Sequence, residues 1–206
     1  MLEKLIVLVE EISMEAALEG LLPRMLGDVE FQIIRFQCKD DLLKQLPARL
    51  KGYSQWLPSN WAILVLVDRD DSDCAALKQQ LEQAAQQAGL LTKTRVAAGQ
   101  RFQVVNRIVI EELEAWFFGD WKAVQQVYPR VPASIPQKKP YRDPDAISGG
   151  TWEALERVLK KAGYFPTGLR KLECAREIAS HLNPDNNQSA SFNAFASAIA
   201  TVLAWE

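Results

Sequence analysis

Four aspartates fall within six positions in Asp68-Arg69-Asp70-Asp71-Ser72-Asp73, immediately after the apolar run Trp61-Ala-Ile-Leu-Val-Leu-Val67. Asp68 and Asp70 are two residues apart, so in an extended chain they point the same way and can share one cation, while Asp71 and Asp73 face elsewhere or cap a helix. Glu10 and Glu11 stand at the matching end of another apolar run, Leu5-Ile-Val-Leu-Val9. Side by side in a parallel sheet, the two run ends assemble at least three carboxylates. Such an all-oxygen set suits Mg²⁺ or Mn²⁺. Acidic residues at strand ends also simply solubilise turns and cap helices, and a lone Asp-x-Asp does not separate the two readings.

Glu114 is a further acidic candidate. At about 100° per residue, Leu113, Trp116 and Phe117 form one apolar face of a helix, Glu111 and Glu114 fall on the other side, and Phe118 lies between those two glutamates. Large aromatics on both sides leave little solvent-facing surface, so a partly buried Glu114 needs a cation or hydrogen-bond donors. An arginine such as Arg107 or Arg69 is the structural partner. A metal, met directly or through water, is the functional one, and Glu114 would then orient an attacking water.

Other chemistries find less support. His181 is the only histidine, which removes a metal site built on a His pair, and it reads as a polar residue near a helix end. No Gly-x-Ser-x-Gly, Gly-x-x-x-x-Gly-Lys-Ser/Thr or Gly-x-Gly-x-x-Gly motif occurs, which disfavours serine hydrolysis and nucleotide hydrolysis by this chain alone. Any ATPase is then a separate partner. Cys38, Cys74 and Cys174 are odd in number, far apart and without Cys-x-x-Cys spacing, so they offer neither a full disulfide set nor a thiolate zinc site, and a reducing cytosol fits.

The elements that must position these groups are legible in the apolar pattern. Leu5–Val9 and Trp61–Val67 are continuous, β-branched-rich runs, the mark of strands buried on both faces of a parallel sheet. Between them Ser13 can cap a helix carrying Leu18, Leu21 and Leu22, residues 30–36 make a strand, and Asp40 or Asp41 opens a helix with Leu42, Leu43, Leu46 and Leu50. A Gln-rich helix over 74–88 closed by Gly89 and strand character over 102–110 follow. The order predicts a doubly wound α/β core with ligands at the carboxyl ends of the strands. Beyond Glu111 the pattern becomes helical around a proline-rich loop, 129–150, with helices expected at 152–162, 169–181 and 192–205 and Thr151 and Ser191 as N-caps. The expected organisation is one compact domain: a core over 1–128 and a helical C-terminal cap over 129–206.

Composition narrows the partners. The chain has 206 residues, 48% hydrophobic and 24% charged, which suits a globular protein with a real core. No apolar run nears the roughly 20 residues of a membrane span, and Glu10 and Glu11 stand where an export signal would need small residues, so a cytoplasmic protein is expected. Net charge is −2, yet residues 130–176 hold ten Lys or Arg against five Asp or Glu. Lys138, Lys139 and Arg142 beside Tyr141 can grip phosphates while the ring stacks on a base, and Lys171 can reach a scissile phosphate, although exposed loop lysines need have no partner at all. Gly149-Gly150 offers bare amides to an anion or a flexible lead into a helix. Trp61, Trp116 and Trp152 sit at core-like positions, where packing accounts for them.

A Glu after a first strand and an Asp-x-Asp after a later one resembles the Toprim domain, the metal-binding module of topoisomerases, primases and overcoming-lysogenization-defect nucleases. More specifically, Val9-Glu-Glu-Ile-Ser-Met-Glu15, Leu66-Val-Asp-Arg-Asp-Asp71, Arg107-Ile-Val-Ile-Glu-Glu-Leu-Glu-Ala-Trp-Phe-Phe-Gly-Asp120, Tyr141-Arg-Asp-Pro-Asp-Ala-Ile-Ser-Gly-Gly-Thr-Trp152 and Ser189-Ala-Ser-Phe192 resemble the successive blocks of domain-of-unknown-function family 4276. That family is regarded as Toprim-like, and its relatives often accompany ATPase genes in bacterial defence cassettes.

The resemblance implies a Toprim-like, Rossmann-like, mainly parallel sheet flanked by helices. It also implies Glu10, Asp68 and Asp70 as metal ligands and a Mg²⁺- or Mn²⁺-dependent nuclease acting on DNA or RNA. Many Toprim sequences have Gly where this chain has Glu11, which leaves open whether Glu10 or Glu11 faces the metal. A topoisomerase is disfavoured, because the chain is too short for strand-passage domains. The rival expectation is a catalytically inactive Toprim-like sensor or regulatory subunit of a partner ATPase. A homo-oligomer is compatible with either.

Overall fold

The computed structural model of the chain describes residues 1–97 and 99–205. Its elements are β1 (Lys4–Val9), α1 (Ile12–Leu26), β2 (Glu30–Arg35), α2 (Lys39–Tyr53), β3 (Trp61–Asp68), α3 (Cys74–Gln87), β4 (Val104–Val109), α4 (Glu114–Gly119), α5 (Trp121–Val127), α6 (Thr151–Lys161), α7 (Lys171–Ala179) and α8 (Ala190–Leu203). The four strands form one all-parallel sheet in the order β2-β1-β3-β4. This is the α/β architecture expected from the two continuous apolar runs. Leu5–Val9 and Ala62–Val67 are buried throughout, whereas every residue of β2, at the sheet edge, is exposed or half-buried.

Two compact units emerge, and they do not follow the chain in order. The first holds residues 1–11, 26–108 and 197–206; the second holds 12–25 and 109–196. In the first, Ile6 and Leu8 of β1 and Ile63, Val65 and Val67 of β3 share a core with Leu42, Leu46 and Leu50 of α2 and Leu77 and Leu81 of α3. These helix positions recur every three or four residues, which is why α2 and α3 each turn an apolar stripe to the sheet. In the second unit, Trp116 of α4 meets Phe192 edge-on at 5.1 Å and Phe195 at 4.9 Å. Every residue of α4 is buried, as aromatics on both of its sides require. Trp61 and Trp152, by contrast, are only half-buried.

The helix starts are corrected in four places. The helix α2 begins at Lys39 behind Cys38 as N-cap, so Asp40 and Asp41 lie inside its first turn. Ser13 lies inside α1, Thr151 is the first residue of α6 behind a Gly150 N-cap with φ of 81°, and Ser191 lies inside α8. The first-turn amides of α6 and α8 find acceptors, most of them far along the chain. For α6, the Glu112 carboxylate accepts from Thr151 N (3.1 Å), Thr151 Oγ1 (3.0 Å) and Trp152 N (3.1 Å). For α8, Ser189 Oγ accepts from Phe192 N at 3.1 Å, and Asp145 accepts from Ala190 N and Ser191 N. Asp73 does cap α3, accepting from Ala76 N at 2.8 Å. Glu112→Ala is therefore expected to cost about 1–2 kcal/mol in chemical denaturation, as the loss of an N-cap does, while Glu112→Gln, which keeps an acceptor, costs less. Equal costs for the two variants would show that the cap contributes nothing.

Candidate functional site

In a parallel sheet of order β2-β1-β3-β4, the chain leaves β1 first to one side and later to the other. The carboxyl ends of β1 and β3 thus form the switch point at which such sheets bind ligands. The register pairs Val9 with Leu66, so Glu10 leaves β1 beside the last residues of β3, Val67 and Asp68. Glu10 and Asp68 are each only 4% exposed. Glu10 Oε1 accepts a hydrogen bond from the Asp68 backbone N–H at 2.7 Å. Its other oxygen, Oε2, is buried without a hydrogen-bond partner.

That environment sets the proton affinity of Glu10. Burial raises its pKa to about 7, the negative charges of Asp70 and Glu11 push the same way, and the Asp68 N–H and the Lys39 ammonium oppose them only in part. Of the two adjacent glutamates, it is Glu10 that turns into the protein against Asp68; Glu11 is half-buried.

Asp70 does not continue β3 as an extended chain. Its residue has φ of 46°, a left-handed conformation that aspartate tolerates better than most, and its carboxylate is exposed. Lys39, at the start of α2, donates to Asp70 Oδ2 at 2.6 Å, to Arg69 O at 3.0 Å and to Asp68 O at 3.4 Å. One ammonium thus braces the whole turn after β3. Among the described residues, no group of three or more His, Cys, Asp or Glu side chains is already gathered to hold a metal. Nothing in the sequence near Lys39 marks it for this role, because its partners lie about thirty residues away. Lys39→Met should move the Glu10 titration upward from about 7, since the opposing cation is gone. Carboxyl ¹³C NMR reads this directly, and a midpoint that stays or falls would refute the assignment.

A second polar cluster in the first unit escaped the sequence pattern. Glu82 of α3 is largely buried, and it is held below the usual carboxylate range despite burial, which raises it, by hydrogen bonds from Thr92 and Asn106 and by the Lys78 charge. Asn106 Nδ2 donates to Glu82 Oε1 at 2.9 Å, and Lys78 Nζ pairs with the same oxygen at 3.1 Å and donates to Asn106 O at 2.7 Å. These contacts clasp α3 to β4. Arg107 donates to Asn106 O at 2.9 Å and faces the Glu82 charge.

The remaining sequence candidates lie in the second unit. Glu114 is buried as expected, 4% exposed. Burial, with the charges of Glu173, Glu177 and Glu114, pushes the Cys174 thiol up to about 12. Lys138, Lys139 and Arg142 are exposed, and Arg142 Nη2 donates to Gln137 O at 3.3 Å. Tyr141 is stacked on Phe118 at 5.4 Å, so one face of its ring is already covered. The Lys171 ammonium sits over the Trp152 ring, 4.3 Å from its centroid. His181 is exposed beyond the end of α7.

Residues 9–200 match the family model described as a domain of unknown function, DUF4276. The chain belongs to this family. The match runs from the end of β1 into α8 and so takes in Glu10, Asp68, Asp70 and Glu114 together. A search of curated proteins and a search of solved structures each found no match. Among the described residues, no helix is long and apolar enough to cross a membrane.

Proposed function

We propose that this DUF4276 protein is a Toprim-like, Mg²⁺- or Mn²⁺-dependent nuclease that cuts phosphodiester bonds in DNA or RNA. The observation that carries the reading is Glu10 Oε2, a carboxylate oxygen buried at the switch point with no hydrogen-bond donor. An orphaned anion beside a second buried carboxylate is costly unless a cation compensates it. The donors are all oxygens, a set fitted to a hard divalent ion, and Glu10 and Asp68 would hold it. When bound, such an ion supplies Lewis acidity toward a phosphate oxygen and lowers the pKa of a water.

The chain's own residues have separate tasks. Glu10, whose pKa of about 7 lies near neutrality, holds a proton for part of the time until an ion binds, and would give up that proton on uptake of the ion. Asp68 presents its carboxylate from the adjacent strand and fixes Glu10 through its backbone N–H. Lys39 holds Asp70 and the turn backbone, and exchange of its ammonium onto a substrate phosphate would free Asp70 as a third ligand. Lys138, Lys139 and Arg142 are proposed to hold the nucleic-acid backbone without reading bases. A role in bacterial phage defence belongs to the same reading.

Metal-dependent cleavage of single- and double-stranded DNA and RNA, with and without a neighbouring ATPase, tests it. Cleavage that needs Mn²⁺ or Mg²⁺ and disappears in Asp68→Asn supports it; no cleavage of any substrate under any of these conditions sinks it. One observation favours the alternative of an inactive regulatory subunit of a partner ATPase. The Lys39 ammonium already neutralises Asp70, as a retained fold with a dispensable metal site would permit. ATPase stimulation by the chain, unchanged by Asp68→Asn, would select that alternative.

A further inference from the structure

We propose that the second unit carries a binding cleft for a nucleotide phosphate, separate from the strand-end carboxylates. The cleft has a volume of about 430 Å³ and is formed by the segment 130–141 and the C-terminal half of α6. Its charged side chains are Arg130, Lys138, Arg157 and Lys161, and no carboxylate is found among the described residues that line it. Arg157 and Lys161 are four residues apart on α6 and so share one face of that helix. In a chain of net charge −2, four cations around one concavity make a local field that attracts an anion.

The rest of the lining narrows the anion. Pro132, Ile135, Val158 and Ala162 are apolar, and Tyr141 adds an aromatic wall. Phosphate is the anion that arginine and lysine jointly suit, and an apolar, aromatic remainder takes a base and a ribose. The volume lies in the range of small-molecule pockets, roughly 300–1,000 Å³.

The cleft is also held in shape before any ligand arrives. The Arg130 guanidinium lies 4.1 Å from the Tyr164 ring centroid and donates to Gly163 O at 3.0 Å. Gly163 has φ of 81°, a conformation that glycine adopts freely. On the opposite wall, the prolines at 132, 136 and 140 restrict φ, and the chain closes into tight turns through Lys138 N to Ile135 O (3.1 Å) and Tyr141 N to Lys138 O (2.9 Å). Trp121 Nε1 ties the segment down by donating to Pro132 O at 2.9 Å. Tyr141, Phe118 and Trp121 stack in turn, with ring planes 8° and 17° apart. A wall ordered in this way loses little entropy on binding.

The same phosphate chemistry comes from a free mononucleotide or from one nucleotide of a single strand, and the probes separate the two. Titration calorimetry of the full chain with AMP, ATP, a dT12 oligonucleotide, adenosine and inorganic phosphate is the experiment. AMP, ATP or dT12 should bind in the micromolar range and weaken with salt, while adenosine does not bind. Arg157→Glu with Lys161→Glu, both on the exposed face of α6, should weaken binding at least tenfold with an unchanged melting temperature. Lys138→Ala should weaken it in the same direction, and Lys160→Glu, exposed but outside the cleft, should stay within twofold. Tighter binding of AMP or ATP names a free nucleotide as the source, and tighter binding of dT12 names a strand.

Binding that the double reversal and Lys160→Glu weaken equally overturns the proposal, as does inorganic phosphate binding as tightly as AMP and ATP, or no binding of AMP, ATP and dT12. Asp68→Asn should bind these probes normally, so that failure of the nuclease reading and failure of the cleft are told apart.

Discussion

Glu10→Gln is expected to raise the unfolding temperature at pH 8 and, under the nuclease reading, to lower metal-dependent cleavage sharply. The two effects have one origin. In the folded protein Glu10 titrates at about 7, against 4.5 for an unburied glutamate. The folded state therefore holds this proton more tightly than the unfolded state does. The stability that protonated Glu10 contributes is fully present below pH 4.5 and is lost as pH rises through about 7. At pH 8 the ionised, buried group costs about 3 kcal/mol, an order-of-magnitude value from about 1.4 kcal/mol per pKa unit. Glutamine keeps an amide oxygen able to accept from Asp68 N and carries no charge, so the variant lacks this downward slope between pH 4.5 and 7. Saturating Mn²⁺ should stabilise the wild type above pH 7 and leave Glu10→Gln unmoved.

Under the nuclease reading, losing an anionic ligand removes several kcal/mol of transition-state stabilisation, a fall in cleavage rate of roughly 100-fold or more. Thermal melts from pH 4 to pH 9, with and without Mn²⁺, read the first part and a cleavage assay the second. A variant with wild-type pH slope and wild-type cleavage would show that Glu10 is neither strained nor used.

Gly119→Ala is expected to destabilise the second unit severely. A Cβ at this last residue of α4 would drive into Asn187 Oδ1 and approach Ser189 N to 2.8 Å. Asn187 cannot yield cheaply. It is buried, its Nδ2 donates to Trp116 O at 2.8 Å, its Oδ1 accepts from Ser189 N at 2.9 Å, and the next residue, Gln188, donates to Gly119 O at 2.9 Å. Moving it breaks buried hydrogen bonds and shifts the Ser189 cap of α8, a cost of about 3 kcal/mol or more. For a chain of this size that is a fall of about 6–12 °C in melting temperature. Gly52→Ala is the control. It lies in α2, where an added Cβ meets nothing within 4 Å, and alanine there should be neutral or stabilise by up to about 1 kcal/mol. Equal melting temperatures for the two variants would refute the close approach at Gly119.

The strands, the parallel sheet and the position of the carboxylates at strand ends are written in local apolar patterns. Burial on both faces of a sheet leaves a continuous apolar run, and β1 and β3 carry that record over Leu5–Val9 and Ala62–Val67 without help from any distant residue. A helix with one face to a core leaves a period near 3.6, as Leu42, Leu46 and Leu50 do in α2. Asp73 was legible as a cap because the N–H it serves is three residues along the chain.

What those groups meet depends on residues brought together by packing. Glu10, not Glu11, turns to Asp68 because the register sets Val9 against Leu66, and register is a pairing between strands that no single strand encodes. Asp70 meets the Lys39 ammonium, which reaches it from another helix. Thr151 and Ser191 failed as caps for the same reason: Glu112 and Asp145, far along the chain, already serve those amides. The cleft joins Arg130 and Lys138 to Arg157 and Lys161 only once α6 has folded back on the proline segment. Periodicity records how much of each residue is buried, whereas hydrogen bonds, ion pairs and clefts depend on which residue is brought opposite, and that is a property of the packed chain.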